Sequence, residues 1–291
     1  PKELLISLYD NLSRNNVEID MIHMEGPNFK EIDNRLLSLT LVKEGMTDAV
    51  IFGPNGMNQQ PSDVLYKKNI LTIRGSFRPV TKVNLDMMEN GYAAFLKENR
   101  EDRKNTLLLF EITLSNLKME GDIDEKDFLD RADILCSLGH TVLISNYRKY
   151  YKLIEYFSNY TKSRMGLIIG VNNLLEIFDD KYYRNLNGGI LEAFGKMFHN
   201  NLKVYLYPQK DNDSNSIINS NNLKLQPRMK EFYKFFKYNG KIVDIFDFNQ
   251  EHLSIFSRDI LSKIKAGKDG WKNKLPRGIA EMIIADKMFG W

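Results

Sequence analysis

A single cysteine, Cys136, excludes an intrachain disulfide in this chain of 291 residues. Its helical, apolar context favours a buried thiol over a nucleophile, and one unpaired cysteine fits a reducing compartment. No apolar run approaches the roughly 18 residues that a membrane-spanning helix requires, and no stretch resembles a secretory signal. We therefore expect a cytoplasmic protein with no membrane partner.

Neither sign of charge is in marked excess. The 41 Lys and Arg residues against 38 Asp and Glu residues give a net charge of only +3, and no long basic run occurs. This balance argues against nucleic acid as a partner. The hydrophobic content of 43% is enough for one large core or two modest ones, so we expect a globular protein.

Potential metal ligands are also sparse. The four histidines, His23, His140, His199 and His252, lie in unrelated segments without a second ligand at metal spacing. The carboxylates of "FDDKYY" (178–183) follow a predicted helix, where solvated acids are more common than a metal patch. We predict no protein-built metal site.

Short runs rich in Val, Ile and Leu alternate with segments of helical spacing, which predicts buried parallel strands and an α/β class. The loops "EGPNF" and "GPNG" are interpreted as turns, and the polar segment 209–227 as a flexible surface insertion. The strand candidates are "VEIDMIHM", "DAVIFG", "NILTIRG", "NTLLLFEITL", "HTVLIS", "MGLIIG", "LKVYLYP" and "GKIVDIF". The helix candidates are 30–46, 83–98, 125–138, 147–162, 174–178 with an extension toward 183, 188–199, 228–238 and 257–266.

The stretch "ILTIRGSFRPVTKVNLDMM" (70–88) joins a predicted buried strand to a predicted helix through a glycine. Gly75 lets the backbone approach an anion, and the next helix would aim its N-terminal amides at that anion. A nucleotide is the natural ligand of such a junction. The alternative is that Gly75 and Pro79 only shape a tight connection.

Three segments, in order, resemble the nucleotidyltransferase superfamily, in particular the nicotinamide/nicotinate mononucleotide adenylyltransferases. "RGSFRPVTKVNLDMMENGYAAFL" resembles the signature G-x-F-x-P-x-[HT]-x-x-H. "MGLIIGVNNLLEIFDDKYY" is similar to the strand that ends in G-x-D, and "LEAFGKMFHNNLKVYLYP" to the following helix and strand. "HLSIFSRDILSKIKAGKDGWKNKLPRGIAEMI" resembles the closing signature I-S-S-T-x-x-R-x-x-[IL]-x-x-G. The matching positions are Gly75, Ser76, Phe77, Pro79, Thr81, Ser257, Ile264, Gly267, Leu275 and Pro276.

The chain departs from this pattern at chemically important positions. Asn84 stands where the family has its second histidine, and Leu261 stands where the closing signature has arginine. Asn172 replaces the aspartate of G-x-D. Arg258 or Lys263 would have to supply the missing positive charge.

The resemblance implies adenylyl transfer from ATP, with Mg²⁺, to nicotinate or nicotinamide mononucleotide or a similar small phosphorylated acceptor. This in-line reaction needs no covalent enzyme intermediate, so positioning and electrostatic stabilisation suffice. Arg131 is expected to be structural. The residues expected to act in catalysis are Thr81, Asn84 and Arg258. Those expected to bind the nucleotide are Gly75, Ser76, Phe77, Pro79, Gly170, Asn172, Ser257 and Lys263. Those expected to stack on the substrate are Tyr182 and Tyr183.

The implied fold is an open, doubly wound, mostly parallel Rossmann-like sheet in a nucleotidyltransferase-like domain, 70–291, with an N-terminal α/β extension, 1–69. A second hypothesis is a catalytically weakened or inactive nucleotide-binding module that serves an upstream domain, and a homo-oligomer is also open. A third treats the eight strand candidates as a (β/α)₈ barrel. Strand order distinguishes the folds, because only a doubly wound sheet places strands 70–74 and 165–169 side by side at a switch point.

Overall fold

The computed structural model describes residues 2–9, 12, 16–98, 102–118, 121–199, 201–211 and 215–291. The strands are β1 Ala49–Phe52, β2 Asn58–Gln59, β3 Asn69–Arg74, β4 Thr106–Thr113, β5 Thr141–Ser145, β6 Met165–Gly170, β7 Leu202–Tyr207, β8 Gln209–Lys210, β9 Ile217–Ile218 and β10 Ile242–Asp244. The helices are α1 Lys2–Ser7, α2 Asn34–Lys43, α3 Pro61–Leu65, α4 Lys82–Glu98, α5 Leu114–Leu117, α6 Glu125–Ser137, α7 Tyr150–Ser158, α8 Val171–Ile177, α9 Gly189–Phe198, α10 Lys230–Tyr238, α11 Ser257–Lys265 and α12 Ile279–Ala285.

Within these residues, the main sheet has eight strands in the order β10-β7-β6-β3-β4-β5-β1-β2. The six strands from β10 to β5 are parallel. From β3 the chain winds outward through β4 and β5, then crosses back to β6 and continues outward to β7 and β10. This order confirms the open, doubly wound, Rossmann-like α/β fold, and the barrel hypothesis is wrong because the order has two ends. The paired residues Ile73 and Ile168 place the ends of β3 and β6 side by side.

The parallel strands are continuous hydrophobic runs because helices cover both faces of the sheet. Along β3, Leu71 and Ile73 pack into the core that contains α4 and α11, whereas Ile70 packs into the core that contains α7 and α9. Helix α4 lies very close to the sheet, since a Cβ at Gly91 would come within 2.5 Å of Ile168. Side-chain alternation along each strand thus builds one core on each face.

The N-terminal part of the chain differs from expectation. Residues 17–24 form no strand; several of their side chains are exposed, and the edge of the sheet is occupied by β2 instead. Strand β1 is antiparallel to both β5 and β2 rather than parallel. The short loop "GPNG" explains the β1–β2 pairing, because a tight hairpin joins only antiparallel neighbours. Segment 1–69 therefore extends the main sheet through β1 and β2.

The polar segment 209–227 is more ordered than expected. It begins with β8, which pairs with β9 in a separate antiparallel hairpin, while residues 212–214 lie outside the described residues. Ser220 then donates its hydroxyl to Asp244 at 2.6 Å, which ties the segment to β10. No helix in the described part of the chain is long and apolar enough to cross a membrane.

Candidate functional site

The GSF turn, residues 75–77, connects β3 to the loop before α4. The Gly75 amide donates to the Glu111 carbonyl at 3.1 Å. A Cβ at Gly75 would lie 2.9 Å from the ring of Phe77, so only glycine fits without displacing that ring. Phe77 is itself buried and packs on Phe110 with ring centroids 5.1 Å apart. The turn therefore offers backbone, rather than the Phe77 side chain, to a ligand.

Arg131 supports this turn from inside the protein. Its side chain is 1% exposed, and its Nη1 donates to the carbonyls of Ser76 and Asn116 at 3.2 Å each. Its guanidinium also pairs with Asp127, and that carboxylate pairs with Arg78 as well. These contacts give Arg131 a structural role, as expected.

A cavity of about 440 Å³, called here the α11 cavity, lies between the GSF turn and α11. Ser76 and Ser257 both line it, so the turn and the start of this helix face one cleft. No side chain caps the first turn of α11, so the positive end of the helix is available to an anion. The lining residues are Ser76, Arg78, Ser257, Arg258, Leu261, Ser262, Lys265 and Ala266.

Two of the three positive residues that line this cavity, Arg258 and Lys265, stand on α11, and the third is Arg78 beside the GSF turn. The Arg258 side chain is 82% exposed, and its Nε lies 3.5 Å from Asp259. Leu261 falls between Arg258 and Lys265 on the same helical stripe. Lys263 does not line the cavity; its ammonium lies close to Gly270 on another side of the helix. Sequence reasoning missed Lys265, although the i, i+3, i+7 spacing from Arg258 would have indicated it.

Thr81 and Asn84 bond to each other. The Thr81 side chain is fully buried, and both its hydroxyl and its amide donate to Asn84 Oδ1 at 2.9 Å. Because α4 begins at Lys82, this is a capping box in which the third helical residue reaches back to the N-cap. Neither residue lines the α11 cavity. The geometry thus gives the pair a structural role at the start of α4, and its contact with a nucleotide stays a prediction.

The end of β6 lies next to the GSF turn, through the pairing of β3 with β6. Gly170 is the N-cap of α8, and Asn172 is exposed in the first turn of that helix. The neighbouring Asn173 donates to the Tyr150 hydroxyl at 2.9 Å, which links α8 to α7. Gly170 and Asn172 are therefore at the predicted edge of the sheet, and their binding of nucleotide stays a prediction.

A second cavity of about 310 Å³, called here the tyrosine cavity, opens at the same sheet edge on the α7 and α8 side. Lys149 Nζ lies 3.9 Å from the centroid of the Tyr182 ring. Burial lowers the pKa of Lys149, while Glu176 opposes this shift. Tyr183 is buried and donates to the Ile177 carbonyl at 2.9 Å, so it packs the cavity wall. The lining residues are Ser115, Arg148, Lys149, Tyr150, Glu176, Ile177, Tyr182 and Tyr183.

The two cavities are close neighbours. Arg131 bonds both Ser76, which lines the α11 cavity, and Asn116, which follows Ser115 of the tyrosine cavity. Sequence reasoning also missed a buried ion pair beside them, between Arg74 and Glu111 at the ends of β3 and β4. Charged residues at adjacent strand ends are a signal that could have indicated it.

The remaining sequence-predicted groups have structural contacts. Asp179 pairs with Lys181, and Asp180 pairs with Arg228. Cys136 is buried, as predicted; its thiol donates to the Gly53 carbonyl at 3.4 Å, and burial raises its pKa. The described residues contain no group of three or more His, Cys, Asp or Glu that could hold a metal ion.

Comparison with solved structures finds distant structural likeness. No protein-family model and no curated protein matches the chain. One similar solved structure is named "Putative Nicotinate-nucleotide Adenylyltransferase", from Vibrio parahaemolyticus; it is 9% identical, with 77% of this chain and 96% of that chain covered and a TM-score of 0.29. A likeness this weak carries no argument, so the fold assignment rests on the strand order above.

Proposed function

We propose that this chain binds Mg·ATP at the α11 cavity and transfers the adenylyl group to a small mononucleotide held at the tyrosine cavity. The observation that carries this proposal is the meeting of the GSF turn and α11 around one cavity at the β3/β6 switch point. Ligands of open α/β sheets bind at such points, outside the carboxyl ends of the strands. Nicotinate or nicotinamide mononucleotide is the acceptor class that the sequence signatures imply.

The charges around the two cavities suit ATP at the α11 cavity and the acceptor at the tyrosine cavity. The polyphosphate would meet the N-terminus of α11 together with Arg258 and Lys265, while Mg²⁺ would be held chiefly by phosphate oxygens. The acceptor would place an aromatic ring on Tyr182 and an anionic group near Lys149. Attack by the acceptor phosphate on the α-phosphorus breaks the bond to pyrophosphate, so the chain contributes positioning and charge stabilisation.

A nucleotide-binding module without efficient turnover is the second candidate, and Leu261 favours it. This residue presents an alkyl side chain to the α11 cavity where the resemblance leads us to expect a guanidinium. Loss of one transition-state donor costs roughly 10²- to 10³-fold in rate. Under this alternative, the chain would bind the nucleotide on behalf of an upstream domain.

Two measurements test these proposals. Calorimetric titration with Mg·ATP tests binding, and pyrophosphate release from ATP with a panel of mononucleotides tests transfer. Arg258→Ala should weaken Mg·ATP binding about three- to tenfold, the range of a partly exposed ionic contact. Lys263→Ala is the matched control, because it removes a cation from the same helix outside the cavity. Absence of nucleotide binding would refute both candidates; binding without pyrophosphate release would favour the second.

A further inference from the structure

We infer that Arg74 is a positioning residue for the acceptor: it holds the loop 146–149, which carries Arg148 and Lys149, against the sheet at the tyrosine cavity. The inference rests on the proposed function for the identity of the ligand there. The claim that Arg74 orders the loop is independent of that function, because the structure shows the contacts of the loop directly.

Arg74 is anchored by a buried, two-point ion pair. Its side chain is 8% exposed and that of Glu111 is 0% exposed. Nε and Nη2 of Arg74 donate to the two carboxylate oxygens of Glu111 at 2.8 Å each. The parallel register of β3 and β4 places the two residues opposite each other. The planar guanidinium matches the carboxylate, so its orientation is fixed.

From this anchor, Arg74 reaches the loop at two points. Its Nη1 donates to the Arg148 carbonyl at 3.2 Å, and its guanidinium lies over the Tyr150 ring, 4.2 Å from the centroid. Glu111 reaches the loop independently: it accepts from Ser145 Oγ at 2.6 Å, and that oxygen accepts from the Tyr147 amide at 3.3 Å. The backbone of the loop is thus fixed just before Lys149, and the Tyr150 ring is held just after it.

Arg74 acts through this loop and not by contact with a ligand, because it lines neither cavity and is almost fully buried. The Gly75 amide bonds to the backbone carbonyl of Glu111, which a change of the Glu111 side chain leaves in place, and the GSF turn has a second support in Arg131. We therefore expect loss of the Arg74–Glu111 pair to disturb the tyrosine cavity more than the α11 cavity.

The test is the double variant Arg74→Met with Glu111→Gln, which removes both charges and leaves no uncompensated buried carboxylate. Native-state trypsin cleavage after Arg148 and Lys149 should become at least about tenfold faster, since local opening controls such cleavage. By calorimetry, the Kd for nicotinate mononucleotide should rise about tenfold, with the Kd for Mg·ATP within about twofold of the unaltered chain. The matched control is Arg164→Met with Glu98→Gln, which removes an ion pair at the opposite edge of the sheet. This control should change neither the cleavage rate nor the Kd of either ligand.

Faster cleavage with selectively weaker mononucleotide binding would support the inference. A folded double variant with unchanged cleavage would overturn it, as would an equal loss of both ligands. If the unaltered chain binds no mononucleotide, the proposed function fails while the cleavage rate still decides whether Arg74 orders the loop.

If the double variant does not fold, Arg74→Lys serves instead. This variant keeps the charge but loses the two-point ion pair with Glu111. Unchanged cleavage in this variant would equally overturn the inference.

Discussion

The α11 cavity and the tyrosine cavity share one sheet edge, but they are held in different ways. In the α11 cavity the backbone is fixed, by Arg131 behind the GSF turn, whereas Arg258 extends from an exposed helix face. In the tyrosine cavity the loop that carries Lys149 is itself fixed, by Arg74. Under the proposed function, an ATP polyphosphate would therefore have to order long side chains, at about 0.5 to 1.5 kcal/mol for each, while the acceptor would meet a preformed wall. The difference predicts adaptable binding at the α11 cavity and selective binding at the tyrosine cavity.

The largest expected effect comes from removal of the support behind the GSF turn. Arg131→Met should lower the free energy of unfolding by about 3 kcal/mol or more, because it leaves buried Asp127 with one partner fewer and two carbonyls without their donor. Urea denaturation measures the change. Arg228→Met, which removes an exposed pair with Asp180, should cost less than about 1 kcal/mol. A similar small loss for Arg131→Met would show that the turn does not depend on this guanidinium.

A gain of function should follow from Leu261→Arg. A guanidinium on this wall of the α11 cavity should raise pyrophosphate release about 10²-fold, the contribution of one transition-state donor. Ser262→Arg adds the same charge one residue along the same cavity and should give a much smaller gain. Equal gains would indicate that net charge matters and position does not.

Adding Asn84→His, the other restoration that the sequence suggests, should help little. The change breaks the capping box of α4, at a cost of about 1 kcal/mol.

The tyrosine cavity should show a pH dependence that Lys149 governs. Burial lowers the pKa of Lys149 from its usual value near 10.5. Because only the protonated amine attracts an anion, affinity for nicotinate mononucleotide should fall as the pH rises through this lowered pKa, by up to about tenfold per unit. Calorimetry from neutral pH upward measures it. Lys149→Arg should abolish the dependence; if it persists, another group is responsible.

The smallest effect concerns stability at a site away from both cavities. Burial lowers the pKa of His140, whose ring stacks on Phe110 with centroids 4.4 Å apart. Below about pH 6.5 the unfolded chain then binds more protons than the folded chain. The free energy of unfolding therefore falls as the pH falls, by at most about 1.4 kcal/mol per pH unit. Partial exposure should keep the total below about 1 kcal/mol. His140→Phe should remove this slope and leave mononucleotide binding unchanged; retention of the slope would refute the assignment.

Sequence periodicity predicted the parallel half of the sheet well, since β3 and β6 are continuous apolar runs that end in glycine turns. It failed for residues 17–24, which show a similar alternation but join neither end of the sheet. The contact of Ser76 with the α11 cavity could be predicted because two signatures bracket it. Charged residues near the ends of β3 and β4 are a signal for the Arg74–Glu111 pair, but the pairing itself depends on the register between the two strands, which one strand alone does not determine. Likewise, the bond between Asn84 and Thr81 could not be predicted, because it depends on how their side chains are arranged at the start of α4.

The outermost strands of the sheet, β2 and β10, are only two and three residues long. Strands this short present few unpaired backbone groups to another molecule, so the sheet is a poor template for edge-to-edge aggregation. A homo-oligomer of this chain would accordingly associate through helix faces rather than as a continuous intermolecular sheet. A protein protected in this way should tolerate the high concentrations that calorimetry of weak ligands demands.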